Sequence, residues 1–153
     1  LGMTYDEIKK GLASYKPIEK RWEVENISGY KVINDSYNAN PESMKAFVDT
    51  VFEHYKNYTL ILGDMGELGE NEVNYHKELG KYINSHKHLN PSATIISIGS
   101  LSENITNEIN NCKTIHFAEI NQAVDYIKNN NGKIITNRNY YIINGNWLRE
   151  FCF

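Results

Sequence analysis

An apolar stripe at helical spacing follows Pro41. Its members recur at i, i+3, i+4, i+7, i+8 and i+11, the pattern of one buried helix face: Met44, Phe47, Val48, Val51, Phe52 and Tyr55. Asn40 is the predicted N-cap and Pro41 the first helical residue, because proline loses no hydrogen bond there. A second cap is predicted at Thr4, where Glu7 completes a capping box and begins a short helix that ends before Pro17.

Strand-like segments occur on both sides of the long helix. Two short ones, at 21–26 and 30–35, are separated by Ser28 and Gly29, which predicts a hairpin. Further strands are predicted at 58–62, 94–98, 114–117 and 140–143, with helices between them. The expected inward-facing residues are Tyr75, Leu79, Tyr82 and Ile83 in the helix over about 71–85, Ile105 and Ile109 in a helix begun by a capping box of Ser100 and Glu103, and Ile120, Ala123, Val124 and Ile127 in the last helix.

This alternation predicts the fold class. Strands separated by helices imply right-handed crossovers and a mostly parallel sheet that is covered on both faces. At 153 residues the chain has room for one such domain. We therefore expect an α/β, Rossmann-like three-layer domain, with a mostly parallel sheet that begins with an antiparallel N-terminal hairpin.

Charge and cysteine content exclude several functional classes. The chain has 19 acidic and 16 basic residues, a net charge of -3, without a long block of either sign. This argues against nucleic acid or an anionic membrane as the main partner. The longest apolar runs are strand-sized, so no segment is expected to span a bilayer. Cys112 and Cys152 lack metal-ligand spacing and are too few for a disulfide framework, which favours a cytoplasmic protein with inert thiols.

Short polar side chains follow the second predicted strand, in the run Asp35-Ser36-Tyr37-Asn38-Ala39-Asn40-Pro41. Ligands of open α/β sheets bind beyond the carboxyl ends of the strands. The free amides and the dipole at the N-terminus of the next helix favour an anionic or hydrogen-bonding ligand. In the structural alternative, Asn40 only caps the helix while Asp35 and Asn38 form Asx turns. Taken by itself, the run favours this alternative.

A glycine-rich acidic loop follows the strand at 58–62. Its carboxylates, Asp64, Glu67 and Glu70, could hold hydrated Mg²⁺, although such sites usually also need substrate phosphates. The preferred interpretation is a loop whose acids favour the N-terminus of the next helix. His76, on the inner side of that helix, is expected to be hydrogen-bonded packing rather than a catalyst. Asn144-Gly145-Asn146-Trp147 forms a third junction after the last strand.

Several catalytic motifs are absent from the sequence. It contains no G-x-x-x-x-G-K-[ST] phosphate loop, no G-x-G-x-x-G after the first strand, no G-x-S-x-G and no H-E-x-x-H. The domain is therefore not expected to catalyse a reaction alone, and no catalytic or metal-binding residue is assigned to it.

Two long motifs nevertheless point to a family. The run from Asp35 to Met44, followed after a helix by the run from Leu62 to Glu70 and by His76, closely resembles the C-terminal domain of the MurF-type Mur ligases, the UDP-N-acetylmuramoyl-tripeptide:D-alanyl-D-alanine ligases. Upstream, residues 11–17 are similar to the end of the family's central domain. Arg21-Trp22-Glu23-Val24 is similar to the family's Arg-x-Glu strand, so the resemblance covers nearly the whole chain.

The resemblance implies an ATP-dependent, three-domain amide ligase of peptidoglycan synthesis. Residues 1–17 would be the end of the central domain or a linker helix, and residues 18–153 the C-terminal domain. The missing N-terminal domain would bind UDP-MurNAc-tripeptide, and the missing central domain would hold most of the ATP and Mg²⁺ site. The present domain would close over the nucleotide and the incoming D-Ala-D-Ala, and would be inactive alone.

The same resemblance implies roles for nucleotide-binding residues. Arg21 and Asp35 would meet the ribose, with Tyr37, Asn38 and Asn40 near the base and phosphates. A carboxylate that accepts from ribose hydroxyls, beside a fixed guanidinium, suits this task physically.

A second group of residues would serve the incoming dipeptide. Asp64, Met65 and Glu67 would line its site. The family's Lys-Gly-Ser-Arg stretch corresponds here to Asn144-Gly145-Asn146-Trp147, and its first three positions would contact the substrate. A cation is replaced at Asn144 and a hydroxyl at Asn146, whereas Gly145 matches the family's glycine.

Two alternatives stay open. One is a non-catalytic α/β binding module that keeps a ligase-like fold. The other is a different amide ligase of the Mur superfamily, similar to folylpolyglutamate or cyanophycin synthetase. The sequence Tyr-Asn-Ala-Asn-Pro at 37–41 favours the MurF branch, because other relatives tend to carry a Tyr-Ala-His variant. Recognition of the tripeptide's diamino acid lies outside this segment.

Overall fold

Helices and strands alternate from the second strand onwards, as the sequence predicts. The computed structural model describes residues 2–15, 21–27, 30–130 and 140–144, and the predicted turn at Ser28 and Gly29 lies outside them. The elements are α1 (Tyr5–Ala13), β1 (Glu23–Ile27), β2 (Tyr30–Asn34), α2 (Pro41–His54), β3 (Tyr58–Gly63), a 3-10 turn (Gly69–Asn71), α3 (Glu72–Ser85), β4 (Thr94–Ile98), α4 (Glu103–Thr106), β5 (Lys113–Phe117), α5 (Ile120–Asn130) and β6 (Tyr140–Asn144).

The six strands form one sheet in the order β1-β2-β6-β3-β4-β5. β1 pairs antiparallel with β2, and the other four pairs of neighbours are parallel. The last strand thus lies between β2 and β3, with Ile143 opposite Asn34 on one side and Asn144 opposite Leu62 on the other. The carboxyl ends of β2, β6, β3 and β4 therefore meet at one edge, which we call the carboxyl edge.

Side-chain alternation along the strands builds a core on each face of the sheet. On one face Leu60 and Leu62 pack with the apolar stripes of α2 and α3, and with Ile105 of α4. On the other, Ile61 and Ile96 pack with Ala123 and Ile127 of α5. All six residues of β3 are buried, as expected for a central strand. The predicted α/β, three-layer fold with an antiparallel first pair is confirmed.

Local capping chemistry begins two of the helices as predicted. Asn40 and Ser43 form a reciprocal capping box before α2, with Pro41 in its first turn. Thr4 and Glu7 do the same for α1. None of the α1 residues is buried, and both Tyr5 and Leu12 are mostly exposed.

Two details of the predicted helices are wrong. The buried stripe of α3 is His76, Leu79, Gly80 and Ile83, and Tyr75 is exposed because it lies one position around the helix from that stripe. The helix after β4 begins at Glu103 with Ser102 before it, and Ser102 makes no side-chain cap bond. Ser100 lies in the preceding turn, so the predicted capping box with Glu103 does not form. Ile109 follows this short helix but is buried, as expected.

Candidate functional site

Asp35 joins three chain segments at the carboxyl edge. Its backbone N–H donates to the Ile143 carbonyl at 2.9 Å, which extends the β2–β6 pairing by one residue. Its Oδ1 accepts the backbone N–H of Trp22 at 3.1 Å, just before β1. Its Oδ2 accepts a long hydrogen bond, 3.4 Å, from Nδ2 of Asn144 at the end of β6. One carboxylate therefore fixes the start of β1 and the end of β6 around β2.

The charge of this carboxylate is set by competing effects. Burial raises the pKa of Asp35 above its ordinary value, while the Trp22 N–H and the Arg21 charge oppose the shift. The Arg21 guanidinium carbon lies 4.4 Å from the centre of the Tyr37 ring, a cation–π distance. Arg21, Asp35 and Tyr37 thus form one cluster, with the guanidinium held on an aromatic face beside a half-buried acid.

Trp22 fixes the backbone next to Arg21 in this cluster. Its backbone has a φ of 50°, the left-handed region that a bulky residue rarely occupies. The ring packs edge-on against Phe47 of α2, with centroids 5.8 Å apart, and also contacts Tyr55. Anchoring of the ring in the core and the N–H bond to Asp35 together hold the strained backbone. The turn before β1 is thereby fixed next to Arg21.

The polar run after β2 is organised mainly by its own hydrogen bonds. Asn34 Oδ1 accepts from the backbone N–H of Ser36 at 3.1 Å and from its hydroxyl at 2.7 Å, and Ser36 is fully buried. The expected Asx turn at Asp35 is therefore wrong: Asn34 makes it, because Asp35 bonds Trp22 instead. The expected Asx turn at Asn38 is also wrong, because its Oδ1 accepts from the next N–H, that of Ala39, while the Asn40 N–H donates to Ser43. Asn40 caps α2 as predicted.

Asp64, directly after β3, bonds the turn that follows β4. Its Oδ1 accepts the backbone N–H of Leu101 at 3.1 Å and of Ser102 at 2.7 Å. The Ser100 hydroxyl lies 3.5 Å from Oδ2. Gly99 lies against the carboxylate, with no room for a Cβ. Asp64 therefore links the ends of two neighbouring strands.

The loop after Asp64 continues with one buried and one exposed side chain. Met65 is fully buried in the core, and its backbone N–H donates to Nε2 of His76 at 2.9 Å. Glu67 is exposed and has a φ of 60°, the left-handed region, where non-glycine residues are uncommon. Such a conformation in a polar loop at a strand end is typical of a functional segment.

Asn144 lies between the Asp35 and Asp64 clusters, at the end of β6. It is 1% exposed, and its Oδ1 has no hydrogen-bond partner in the part of the chain that the structure describes. Buried amide oxygens are usually bonded. The predicted contact residues Gly145 and Asn146 lie outside the described residues.

Comparison with known proteins identifies the family. Residues 20–135 match the family described as "Mur ligase, glutamate ligase domain". The chain belongs to the Mur ligase family. The resemblance stated from the sequence is therefore confirmed.

Individual relatives agree with this Mur ligase assignment. Over 136 residues, 86% of this chain and 30% of the relative, the sequence is 33% identical to the UDP-N-acetylmuramoyl-tripeptide--D-alanyl-D-alanine ligase of Bacillus subtilis. The fold is similar to MurF from Acinetobacter baumannii, with a TM-score of 0.81 and 21% identity over 97% of this chain and 32% of that one. It is also similar to MurF from Thermotoga maritima in complex with ADP, with a TM-score of 0.67 and 23% identity over 95% and 31% of the two chains. The chain spans about a third of the length of these relatives.

The Mur ligase domain brings the predicted residues together in two groups. Arg21, Asp35 and Tyr37 form one group, with Asn38 and Asn40 following along the same loop. Asp64, Met65 and Glu67 belong to the other, although the Met65 side chain is fully buried in the core. Asn144 separates the groups and bonds the first.

Sequence reasoning missed three contributors to this edge: Trp22, Asn34 and the turn at 99–102. The sequence signal for the turn was the glycine directly after β4. In the structure Gly99 has a φ of 121°, which favours glycine. Among the residues the structure describes, no three His, Cys, Asp or Glu side chains come close enough to hold a metal ion. No helix in the same ranges is long and apolar enough to cross a membrane.

Proposed function

We propose that this chain is the C-terminal domain of an ATP-dependent ligase that adds D-Ala-D-Ala to UDP-MurNAc-tripeptide. The observation that carries the proposal is the 33% identity to the B. subtilis D-alanyl-D-alanine ligase named above, which extends over 86% of this chain. The carboxyl edge supports it, because its two polar groups suit two different ligands. ATP phosphorylates the tripeptide carboxylate to an acyl phosphate and leaves as ADP. The dipeptide amine then attacks the acyl carbon, and phosphate leaves as the amide forms.

The Asp35 group serves the nucleotide in this proposal. Each carboxylate oxygen of Asp35 accepts one hydrogen bond from the protein and has a further acceptor position for a ribose hydroxyl. Arg21, stacked on Tyr37, adds a positive charge at the same place. Asn38 and Asn40 follow at the N-terminus of α2, where the helix dipole favours the negative charge of phosphates.

The Asp64 group serves the incoming dipeptide. The exposed carboxylate of Glu67 suits the amino group of D-Ala-D-Ala, which arrives as a cation and must lose a proton before it attacks. Asp64 holds the adjoining turn, and the backbone at Met65 lies between the two acids. We assign the buried Asn144 oxygen, together with Gly145 and Asn146 that follow it in the sequence, to the same dipeptide site.

The remaining parts of the ligase lie outside this domain in the proposal. Mg²⁺ neutralises phosphate charge when it is bound, and the described residues offer no three-ligand cluster for it, so we assign the ion to the central domain. We place the domain boundary at residue 17, because α1 buries none of its residues and the family match begins at residue 20. The complete ligase would act in the cytoplasm, and its preceding domains would bring ATP and UDP-MurNAc-tripeptide to the carboxyl edge.

Acceptor dependence of ATP turnover tests this function. The complete polypeptide that contains this chain is supplied with ATP, Mg²⁺ and UDP-MurNAc-tripeptide, and ADP release is measured with D-Ala-D-Ala, with L-glutamate or without an acceptor. We expect release only with D-Ala-D-Ala, and none from residues 1–153 alone. In a parallel assay a folate replaces UDP-MurNAc-tripeptide as the carboxylate substrate, and ADP release there with L-glutamate as the acceptor would support a folylpolyglutamate-type ligase instead. No ATP turnover with either pair of substrates would support a binding module.

A further inference from the structure

His76 is a fully buried polar residue that the proposed reaction does not use. It lies in the second turn of α3, and its side chain reaches back to the loop that follows β3. Nε2 lies 2.9 Å from the Met65 backbone nitrogen, and Nδ1 lies 2.7 Å from the Glu72 carbonyl oxygen. One imidazole therefore bridges the start of the loop and the first turn of α3.

The two contacts define the protonation of the ring. A carbonyl oxygen can only accept, so Nδ1 carries the proton that it shares with Glu72. The Met65 N–H can only donate, so Nε2 must be unprotonated. The neutral Nδ1–H form satisfies both backbone groups, and the ring has no position left for substrate chemistry. His76 is thus confirmed as a hydrogen-bonded, buried residue. Its contacts hold the loop between β3 and α3.

The loop between these contacts is fixed at its start. Asp64 holds it to the turn after β4 by two backbone hydrogen bonds, and His76 holds the next residue, Met65, to α3. Two residues later Glu67 adopts its left-handed backbone. An uncommon backbone conformation persists only where the surroundings constrain it.

We propose that His76 is a positioning residue for the incoming dipeptide. By accepting the Met65 N–H it fixes the loop at 64–70, so that Glu67 faces the acceptor amine. The inference rests on the proposed function, since Glu67 has an acceptor to hold only in a ligase. The Asp35 carboxylate bonds Trp22 and Asn144, so we expect nucleotide binding to change little when His76 is replaced.

Two substitutions separate the bond to Met65 from the bond to Glu72. In His76→Gln, the longer amide places an oxygen near the position of Nε2, where it can accept the Met65 N–H. In His76→Asn, the shorter amide reaches only the position of Nδ1, where its NH₂ can donate to Glu72. Both variants remove the ring from the core, so they form a matched pair for stability. Only the asparagine variant loses the contact that fixes the loop.

The experiment measures apparent KM for D-Ala-D-Ala and for ATP in the complete ligase, together with hydrogen exchange at the Met65 amide. For H76N we expect a KM for D-Ala-D-Ala raised about tenfold, the usual effect of one lost buried hydrogen bond, with the KM for ATP within about twofold. We expect faster Met65 exchange in H76N. For H76Q, both properties should stay close to wild type.

Several results would overturn the role of His76. These are an unchanged D-Ala-D-Ala KM in H76N, equal increases of both KM values, or the same defect in H76Q and H76N. They are distinguishable from failure of the proposed function. If the wild-type enzyme does not use D-Ala-D-Ala at all, both proposals fail, whereas a wild-type enzyme that uses it with any of the results above removes only the inference about His76.

Discussion

The carboxylate of Asp64 accepts the backbone N–H of Ser102 at 2.7 Å, and this bond ties the end of β3 to the turn after β4. Gly99 completes the relationship, because a Cβ at this position would lie 2.5–2.6 Å from the carboxylate atoms of Asp64. Its φ of 121° is also a conformation that only glycine adopts readily. The position of the Asp64 carboxylate therefore requires a residue without a Cβ at position 99.

A double-mutant cycle tests this dependence. Gly99→Ala should destabilise the domain by about 3 kcal/mol through backbone strain and contact with the carboxylate. Asp64→Ala should cost about 2 kcal/mol, because two backbone N–H groups lose their acceptor. In the double variant the steric conflict is gone, so the loss should be smaller than the sum by at least about 1 kcal/mol. Urea unfolding measures all four proteins, and strict additivity would contradict the proposed contact.

Gly80 permits close packing of α3 against the segment around α4. A Cβ at this position would overlap the Ile105 carbonyl oxygen and lie 2.9 Å from the Glu108 Cβ. We expect Gly80→Ala to lower the free energy of unfolding by about 1–3 kcal/mol, although alanine is the better helix former. Gly11→Ala in α1 is the matched control, because a Cβ there meets nothing within 4 Å. Equal effects of the two substitutions in thermal unfolding would be inconsistent with this packing.

Asp35 should make stability depend on pH in a defined direction. Burial raises the pKa of Asp35 in the folded state, so the folded protein binds this proton more tightly than the unfolded chain does. The stabilisation is therefore complete below the ordinary aspartate pKa of about 4 and is lost as pH rises through the folded value.

Asp35→Asn removes this titration and keeps an oxygen that can accept the Trp22 N–H. The difference in unfolding free energy, wild type minus variant, should thus decrease from about pH 3 to pH 7. Urea titrations of both proteins across that range measure it. A difference that grows with pH would show that Arg21 and the Trp22 N–H outweigh burial.

Cys112 should react slowly with alkylating reagents. Burial raises the pKa of its thiol to about 11, and the thiolate is the reactive form. At pH 8 we expect iodoacetamide to modify Cys112 about one hundredfold more slowly than a free cysteine, and at the ordinary rate in urea. The rates are measured in a Cys152→Ser background. Fast modification without denaturant would contradict the burial of this side chain.

Local chemistry was the part of the structure that the sequence could predict. Asn40 and Pro41 begin α2, and Thr4 with Glu7 begins α1, because capping uses side chains within one turn of the helix end. The alternation of strands and helices likewise predicted the layers. Ser100 and Glu103 have the spacing of a capping box too, but a tertiary partner, Asp64, lies beside Ser100 and the box does not form.

The site itself depends on contacts that sequence spacing does not encode. Asp35 bonds Trp22, 13 residues earlier, and Asn144, 109 residues later. The Trp22 contact lies one residue beyond the Glu23–Asn34 pair of the β1–β2 hairpin, so it depends on a register that the hairpin motif alone does not fix. The Asn144 contact follows from no motif, because β6 returns to the centre of the sheet only in the folded topology. The motifs indicated which loops carry polar residues. Only the strand order shows that Asn144 separates them into two groups.

In the proposed function, the Asp35 group and the Asp64 group serve different substrates. A single set of steady-state measurements tests this division most directly: the apparent KM for ATP and for D-Ala-D-Ala in the complete polypeptide that contains this chain, its Asp35→Asn variant and its Glu67→Gln variant. Each substitution removes one charged hydrogen-bonding partner, which corresponds to about a tenfold loss of affinity. We predict a raised KM for ATP alone in D35N and for D-Ala-D-Ala alone in E67Q. Equal increases of both KM values in either variant, or no increase in either, would contradict the division of the carboxyl edge into a nucleotide group and an acceptor group.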